Sequence, residues 1–360
     1  MAGVALVAGV VTLAVVAWRT TDAPPVQRAG TIVPVPVAVG FGEQASVMLE
    51  DGRILIPGGE TDPFTAEPSA IAYLLSPETH SIERVADMKV PRSYHTATLL
   101  ADGTVLISGG EGAELFDPRT RASELLDDRP IDRRAHAAIR LLDGSVLIVG
   151  GLDSAFQPVL AIERYLPDTQ TFEQLPTGVN SPSLRGVLLP GGNVFLRGGT
   201  HFWIFDPETM SLSEPVSYQF ANEPAVALDH DGRVILLGGT ILDYTPGQES
   251  VEASTDIVAV DATTLAQSLI GHLAEPRHRS GVALVEDGRI VIAGGSPDSH
   301  TDGGFLASIE VVDSVTGIST LGPPMSQGRY RIEVVASGRG VAFLGSPTRN
   351  PETSIDIYVP

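Results

Sequence analysis

The sequence predicts an all-β protein built from seven copies of one four-stranded antiparallel unit. An apolar run, an Asp-Gly turn, a short β-branched strand and two glycines recur, as in "LEDGRILIPGG" (49–59), "LADGTVLISGG" (100–110) and "LLDGSVLIVGG" (141–151). Four weaker copies follow, and the first glycines of the pairs are separated by 51, 41, 48, 40, 56 and 51 residues. Such an interval is typical of propellers and solenoids.

The first half of each unit reads as a β-hairpin. In the second copy "HTATLL" leads into Asp-Gly, which tolerates the positive φ of a tight turn, and "TVLI" follows as a β-branched strand. The paired glycines allow two backbones to approach closely where a side chain would not fit. We therefore expect the glycines to face a crowded centre.

The second half of each unit supplies two more strands. A loop of variable length leads to segments such as "LLSPETH" (74–80), "LFDPRTR" (115–121) and "IFDPETM" (204–210). Asp or Ser before Pro, followed by a polar residue and Thr, is type I turn chemistry. Each unit is thus predicted to be a four-stranded meander, and meanders arranged radially make a β-propeller.

The chain ends predict how the ring closes. The seventh unit stops after its third strand, "SIDIYVP", whereas "TIVPVPVAVG" (31–40) alternates like a strand and has no hairpin partner beside it. Its prolines suit an edge strand, where a backbone donor can be spared. We expect this segment to complete the seventh blade. A six-bladed ring with one unit outside it, and an open β-helix, are the alternatives.

The first residues predict an N-terminal apolar helix. Residues 2–18, "AGVALVAGVVTLAVVAW", are uncharged, and seventeen helical residues span ~25 Å against a ~30 Å hydrocarbon core. We assign residues 1–22 to a signal peptide or membrane anchor, 23–30 to a linker and 31–360 to the propeller. Arg19 and Arg28 favour a cytoplasmic body by the positive-inside rule, but we expect export to the cell envelope, either membrane-anchored or secreted into an extracytoplasmic space such as the periplasm.

Composition excludes several kinds of function. A formal net charge of -21 opposes nucleic-acid binding, which needs Lys and Arg to displace counterions. The absence of cysteine excludes disulfides, thiolate metal sites and a Cys nucleophile. The motifs of zinc proteases, P-loop enzymes, GxSxG hydrolases and EF-hands are also absent.

The segment "PRSYHTATLLADGTVLISGGEGAELFDPRTR" (91–121) resembles the kelch repeat. Its motifs are similar to those of galactose-oxidase-like central domains and of bacterial exported kelch proteins. The resemblance covers roughly residues 41–360. It implies a kelch-type propeller of seven blades. It says little about function, because propellers serve as adaptors, lectin-like binders, isomerases and oxidases.

The most specific enzymatic activity that this resemblance implies is that of a copper radical oxidase. The family's cofactor requires a tyrosine cross-linked to a cysteine, and this chain has no cysteine, although Tyr94, His95, His136 and Tyr330 are present. We therefore predict no cofactor and no metal site. His95 and His136 occupy matching places before Asp-Gly, where this repeat commonly places a packed histidine. "DSHTDGG" (298–304) lacks a complete cation-ligand pattern.

Arginines and tyrosines gather in the connections that precede four of the predicted first strands. In a propeller these connections share one rim with the loops between strands two and three, so we expect the side chains at one mouth. The candidate ligand-binding residues are Arg92, Tyr94, Arg133, Arg134, Arg277, Arg279, Arg329, Tyr330 and Arg331. Arginine binds carboxylate or phosphate bidentately. The alternative is that these arginines form ion pairs with Asp or Glu and bridge neighbouring blades.

The sequence thus favours a monomeric, non-catalytic binding platform of the cell envelope. We expect a protein or carbohydrate ligand, preferably anionic, such as an acidic protein segment. No nucleic acid is expected, and the membrane is contacted through residues 2–18 if they are not cleaved. The alternative is a carbohydrate-active enzyme resembling the exported kelch mutarotases that act on sialic acid, with an arginine holding the carboxylate and a nearby acid or base.

Overall fold

The computed structural model describes residues 30–37, 45–60, 67–179, 181, 184–245, 248–297, 304–338, 340–345 and 354–359. These ranges form β-strands and contain no helix. Across them, no segment qualifies as a helix able to span a membrane. The predicted N-terminal helix, the signal peptide or anchor, most of the linker and nearly all of "DSHTDGG" lie outside the described residues.

Antiparallel strands follow one another in the four-strand units that the repeat predicts. Sheet 1 contains β2 (Val47–Met48), β3 (Ile54–Pro57), β4 (Ala72–Ser76) and β5 (Ser81–Arg84). Sheet 2 contains β6 (Thr96–Leu99), β7 (Val105–Ser108), β8 (Ala113–Asp117) and β9 (Ala122–Leu125). Sheet 3 contains β10 (Ala137–Arg140), β11 (Val146–Val149), β12 (Ala161–Leu166) and β13 (Thr171–Gly178). Sheet 4 contains β14 (Arg185–Leu188), β15 (Val194–Arg197), β16 (His201–Asp206), β17 (Ser211–Leu212) and β18 (Val216–Ser217).

The next two units are joined at their outer strands. Sheet 5 contains β19 (Ala225–Leu228), β20 (Val234–Leu237), β23 (Asp256–Val260) and β24 (Gln267–His272). Sheet 6 contains β25 (Gly281–Leu284), β26 (Ile290–Ala293), β27 (Ile309–Asp313) and β28 (Ile318–Leu321). A parallel bridge from His272 to Ile318 links them. The expected long loop after β20 is a hairpin of β21 (Thr240–Thr245) and β22 (Gln248–Ala253).

The two ends of the chain meet in one sheet. Sheet 7 contains β29 (Glu333–Ser337), β30 (Gly340–Leu344), β31 (Ser354–Val359) and, at its edge, β1 (Thr31–Pro36). The β1 strand pairs antiparallel with β31 from Thr31 opposite Val359 to Pro36 opposite Ser354. The predicted pairing of the N-terminal segment with the last unit is therefore confirmed for residues 31–36. The prolines occupy the edge strand, as expected.

The sheets pack face to face around a centre. Their first strands contact one another in the order β2, β6, β10, β14, β19, β25 and β29, and β29 contacts β2 again. Buried apolar clusters fill the spaces between successive sheets, and one of them joins Ile54 and Ile56 of sheet 1 to Ala342 and Leu344 of sheet 7. Because each sheet buries both faces, the second strands are completely buried, as in β7 and β20. The arrangement is consistent with a β-propeller.

The repeated turns and glycines behave as the sequence predicts. Asp102 accepts a hydrogen bond from the Thr104 backbone N–H at 2.9 Å, and Gly103 has a φ of +84°. At the second glycine of a pair, a Cβ on Gly151 would lie 2.6 Å from the Arg134 carbonyl oxygen. Only glycine admits this approach. The glycine pairs thus allow the connection into each sheet to pass close to a neighbouring backbone.

Candidate functional site

A central cavity of about 830 Å³ opens where the connections into the first strands meet the loops between second and third strands. The connections contribute Tyr94, Arg134 and Arg279, whereas the loops contribute Glu60 and Phe156. The predicted placement of both sets of segments on one rim is therefore observed. The first strands form the wall below.

Five of the nine candidate residues lie at or beside this cavity. Tyr94, Arg134, Arg279 and Arg331 line it, and Tyr330 contacts two of these arginines. The other four candidates do not line it.

Arg92, Arg133, Arg277 and Arg329 are buried, with 3%, 1%, 0% and 1% of their surface exposed. Each donates to the carbonyl of the first glycine of its unit and to a carboxylate on the third strand of the same sheet. The expectation that they face the mouth is therefore wrong. They form ion pairs, as in the alternative, but within the sheet that the connection enters.

The carboxylate partners organise the connections. Glu310 accepts hydrogen bonds from the Ala274 and Glu275 backbone N–H groups at 2.7 and 3.2 Å, from Ser319 Oγ at 2.5 Å and from Arg277 at 2.6 Å. Glu114 receives the equivalent set in sheet 2. A buried carboxylate needs several donors. The recurrent pair therefore fixes the chain as it enters each sheet.

The cavity wall carries an excess of positive charge. Among the described residues it is lined by five arginines and three glutamates, a formal excess of two positive charges in a chain of net charge -21. These residues are Arg134, Arg185, Arg197, Arg279, Arg331, Glu60, Glu223 and Glu333. The charge balance of the cavity is thus opposite to that of the whole protein.

Two of these arginines are absent from the sequence-based candidates. Arg185 begins β14 and Arg197 ends β15, where the two residues are directly opposite each other. Both occur in apolar strands, in "LRGVLL" and "VFLRGG". An arginine at the end of an otherwise apolar strand was the sequence feature that could have identified Arg185 and Arg197 as cavity residues. The prediction considered only connections and therefore missed it.

Arg197 is half-buried at the cavity wall and forms no ion pair with a carboxylate of the described residues. Its buried Nε has no hydrogen-bond partner among the described residues. Burial lowers the pKa of Arg197, and the nearby Arg185 lowers it further, whereas Tyr218 and Glu223 act in the opposite direction. Leaving a guanidinium in this state is costly unless an anion supplies the missing interactions.

Aromatic rings position three of the cavity arginines. The guanidinium carbons of Arg279 and Arg331 lie 5.5 and 5.8 Å from the Tyr330 ring centroid, and Arg279 Nη1 donates to the Tyr330 hydroxyl. Phe305 stacks on Tyr330 with centroids 4.7 Å apart and planes inclined by 13°. These contacts reduce the freedom of the two arginine side chains before any ligand binds.

The third ring-supported arginine lies in sheet 3. Arg134 lies 5.2 Å from the centroid of Phe156, whose surface is 66% exposed. Phe156 adopts a φ of +59° at the tip of its loop. An exposed aromatic ring held over an arginine offers a ligand an apolar face beside a positive charge.

The histidines at the cavity wall are packed and neutral. Burial lowers the pKa of His95 to about 3, and the positive charge of Arg92 contributes. Burial also lowers the pKa of His136 far below its ordinary range, aided by Arg133. His136 Nε2 lies 3.0 Å from Thr96 Oγ1. Its Cε1 would lie 3.0 Å from a Cβ on Gly109. The packed-histidine interpretation is therefore supported.

Many solved structures have a similar fold, including a fungal alcohol oxidase and YjhT. A fungal alcohol oxidase of the AA5 family, in complex with copper, matches 93% of this chain and 76% of its own with a TM-score of 0.75 and 15% identity. YjhT matches 79% of this chain and 98% of its own with a TM-score of 0.56 and 14% identity. Neither a family model nor a curated protein sequence matches the chain. The likeness establishes the fold alone.

The copper of the fungal oxidase does not suit the residues found here. Among the described residues, no group of three or more His, Cys, Asp or Glu side chains is arranged to hold a metal ion. The chain has no cysteine. His136 is hydrogen-bonded to Thr96 and packed against glycine. The cross-linked tyrosine and cysteine that the copper-radical resemblance implies therefore cannot form in this chain.

Proposed function

We propose that the protein binds a small anionic molecule, most simply a carboxylate, in the central cavity. The observation that carries the proposal is that five arginines line a cavity of about 830 Å³. Guanidinium groups bind carboxylates through two parallel hydrogen bonds. No covalent step is required of the protein.

The size and charge of the cavity favour a small molecule over a protein surface. Pockets for small ligands commonly measure roughly 300–1,000 Å³, and 830 Å³ falls within that range. The overall charge of -21 repels anions at long range. A locally positive, concave wall therefore selects an anion that enters the cavity. The other ligand that would suit a positively charged cavity is an acidic protein segment inserted into its mouth.

Isothermal titration with matched ligands tests the proposal. D-glucuronate and D-glucose share a ring and differ in the carboxylate, and N-acetylneuraminate adds a bulkier acid. We expect both acids to bind more tightly than glucose, and more weakly as salt rises. Equal affinity for glucose and glucuronate, or no binding of either acid, would contradict a carboxylate site.

A pair of arginine variants localises the binding. Arg134→Gln removes a charge from the cavity, and we expect ~10-fold weaker binding of the acids because a charged hydrogen bond contributes ~1.5–3 kcal/mol. Arg119→Gln is the matched control, since Arg119 lies in the turn after β8 with a side chain 74% exposed. Equal losses in the two variants would indicate a general charge effect.

A second candidate function is catalysis on the same ligand. Glu60, Glu223 and Glu333 line the cavity together with the arginines, and a carboxylate beside a bound sugar acid can act as an acid or base. A mutarotase-like isomerase of sialic acid is the form that the kelch resemblance implies. NMR of the anomers of N-acetylneuraminate tests it: Glu223→Gln should abolish the acceleration of anomer exchange even when the sugar acid is saturating.

The finer architecture and the location of the protein belong to the same proposal. We propose a seven-bladed, kelch-type propeller, supported by the ring of first-strand contacts and the pairing of β1 with β31. Residues 1–22 would carry it to the cell envelope. Protease protection tests this location, because a body inaccessible from the extracytoplasmic side would contradict export.

A further inference from the structure

Five side chains at the mouth share one unusual backbone conformation. Each occurs two residues before the first strand of its sheet, with φ between 49° and 55°. They are Tyr94, Ala135, Glu223, Arg279 and Arg331. Because this left-handed region disfavours residues with a Cβ, glycine is the ordinary occupant. The chain instead keeps a side chain at all five.

The backbone contacts of the fold impose this conformation and do not require a particular side chain. At four of the five positions the backbone carbonyl two residues earlier accepts a hydrogen bond from the second glycine of the neighbouring sheet, as from Gly59 to Arg92 at 2.8 Å and from Gly295 to Arg329 at 2.8 Å. At the fifth, the Glu223 N–H donates to the Gly199 carbonyl at 3.1 Å. The chain must then turn sharply to enter the first strand. Glycine would make this turn with less strain, so a change to glycine at these positions should leave the turn intact.

All five residues line the central cavity. Five other non-glycine residues with positive φ, among them Arg121 and Gln170, lie in turns between third and fourth strands and do not line it, whereas Phe156 lines it from a loop between second and third strands. The five mouth positions therefore form a defined set, which we name the mouth ring: Tyr94, Ala135, Glu223, Arg279 and Arg331.

The mouth ring is chemically uneven. Arg279 and Arg331 come from the connections into sheets 6 and 7, and Tyr330 orients both guanidinium groups. Glu223 comes from the connection into sheet 5, next to them. Tyr94 and Ala135 lie on the side of sheets 2 and 3, near the exposed ring of Phe156. Within the mouth ring, the two positive charges thus lie on the side of sheets 6 and 7, beside the negative charge of Glu223.

We propose that the mouth ring determines which ligand the cavity accepts, with Arg279 and Arg331 binding the anionic group. This inference rests on the proposed binding function and assigns its specificity to particular residues. Changing these five residues alters the ligand and leaves the sheets intact.

Arg279→Gly separates ligand binding from folding. Glycine suits the φ of 53° at this position, so relief of strain should offset the lost contact with Tyr330. We expect the Tm to stay within ~2 °C of the unaltered protein while D-glucuronate binds ~10-fold or more weakly. A structural role for Arg279 would instead lower the Tm markedly and leave the affinity of the folded protein unchanged.

Two further variants complete the test. Arg121→Gly removes an arginine from a φ of 59° outside the cavity and should not change glucuronate affinity. Ala135→Arg adds a guanidinium at the mouth ring and should tighten glucuronate binding ~3-fold or more. Equal effects of Arg121→Gly and Arg279→Gly, or no gain from Ala135→Arg, would overturn the inference.

The outcomes distinguish this inference from the proposed function. If the unaltered protein does not bind glucuronate, the proposed function and the inference fail together. If it binds glucuronate and Arg279→Gly retains that affinity, the inference alone fails.

Discussion

Breaking one buried ion pair should destabilise the whole ring measurably. Arg277 and Glu310 both have fully buried side chains and are joined at 2.6 Å. Arg277→Met leaves the Glu310 carboxylate buried without its countercharge, although the Ala274 and Glu275 N–H groups still contact it. Removing one partner of a buried pair costs ~3–5 kcal/mol. We expect a loss of this size in the free energy of unfolding.

The corresponding change in Tm follows from the size of the protein. An unfolding entropy of ~2.1 cal/mol/K per residue over about 330 residues gives ~0.7 kcal/mol/K. The expected loss therefore lowers the Tm by ~4–7 °C. Circular dichroism during thermal unfolding measures it, with urea unfolding as the second assay.

Two control variants test whether the loss of stability comes from the buried ion pair. Arg84→Met removes one partner of an exposed pair with Asp87, with side chains 56% and 42% exposed, and should leave the Tm unchanged within error. The double variant Arg277→Met, Glu310→Gln keeps an acceptor for the backbone N–H groups and removes both charges. It should recover ~2 kcal/mol or more relative to Arg277→Met. A Tm drop below ~1 °C in Arg277→Met, or no recovery in the double variant, would refute the assigned role of the pair.

Three other predictions concern closure, pH and the cavity. Deleting residues 29–39 removes β1 from the edge of sheet 7 and should lower the Tm by several °C (~5 °C); an unchanged transition would contradict closure. The folded pKa values of His95 and His136 lie below the unfolded value of ~6.5, so the unfolded chain binds more protons as pH falls. Stability is then complete above pH ~6.5 and decreases below it by roughly 1.4 kcal/mol per pH unit for each histidine; urea midpoints at pH 7, 6 and 5 should show this slope, and His95→Gln should reduce it. Arg197→Met removes a guanidinium whose buried Nε has no partner among the described residues, so the Tm should hold or rise while titration shows weaker acid binding; a large loss of Tm would mean that the fold itself uses Arg197.

The repeat made most of the architecture predictable. Alternation, Asp-Gly turns and glycine pairs are local signals that act within a few residues, so the strands and hairpins follow from them directly. The pairing of β1 with β31 was also predictable, because a missing fourth strand and an unpartnered strand are complementary. The hairpin of β21 and β22 was not expected, because its segment lacks the sequence motifs of the repeat.

The candidate site was predictable only in part. The sequence located Arg134, Arg279 and Arg331 on one rim, where the cavity lies. It could not separate them from Arg133 and Arg277, which are adjacent or nearly adjacent in the chain. That distinction depends on side-chain direction. An arginine aligned with the third-strand carboxylate is buried, whereas one or two residues later the chain has turned towards the cavity.

The sequence by itself determined the all-β repeat, the hairpin at the start of each unit and the acidic, cysteine-free composition, because these depend on local pattern and residue type. Only the tertiary structure decided which charges are neutralised and which line the cavity. Glu114, Glu163, Glu310 and Asp356 reach the buried arginines across 22 to 33 residues of chain. Arg185 and Arg197 line the same cavity as the rim arginines only because the first strands close around a centre. Such contacts arise from packing of distant segments, and local pattern carries no information about their distances.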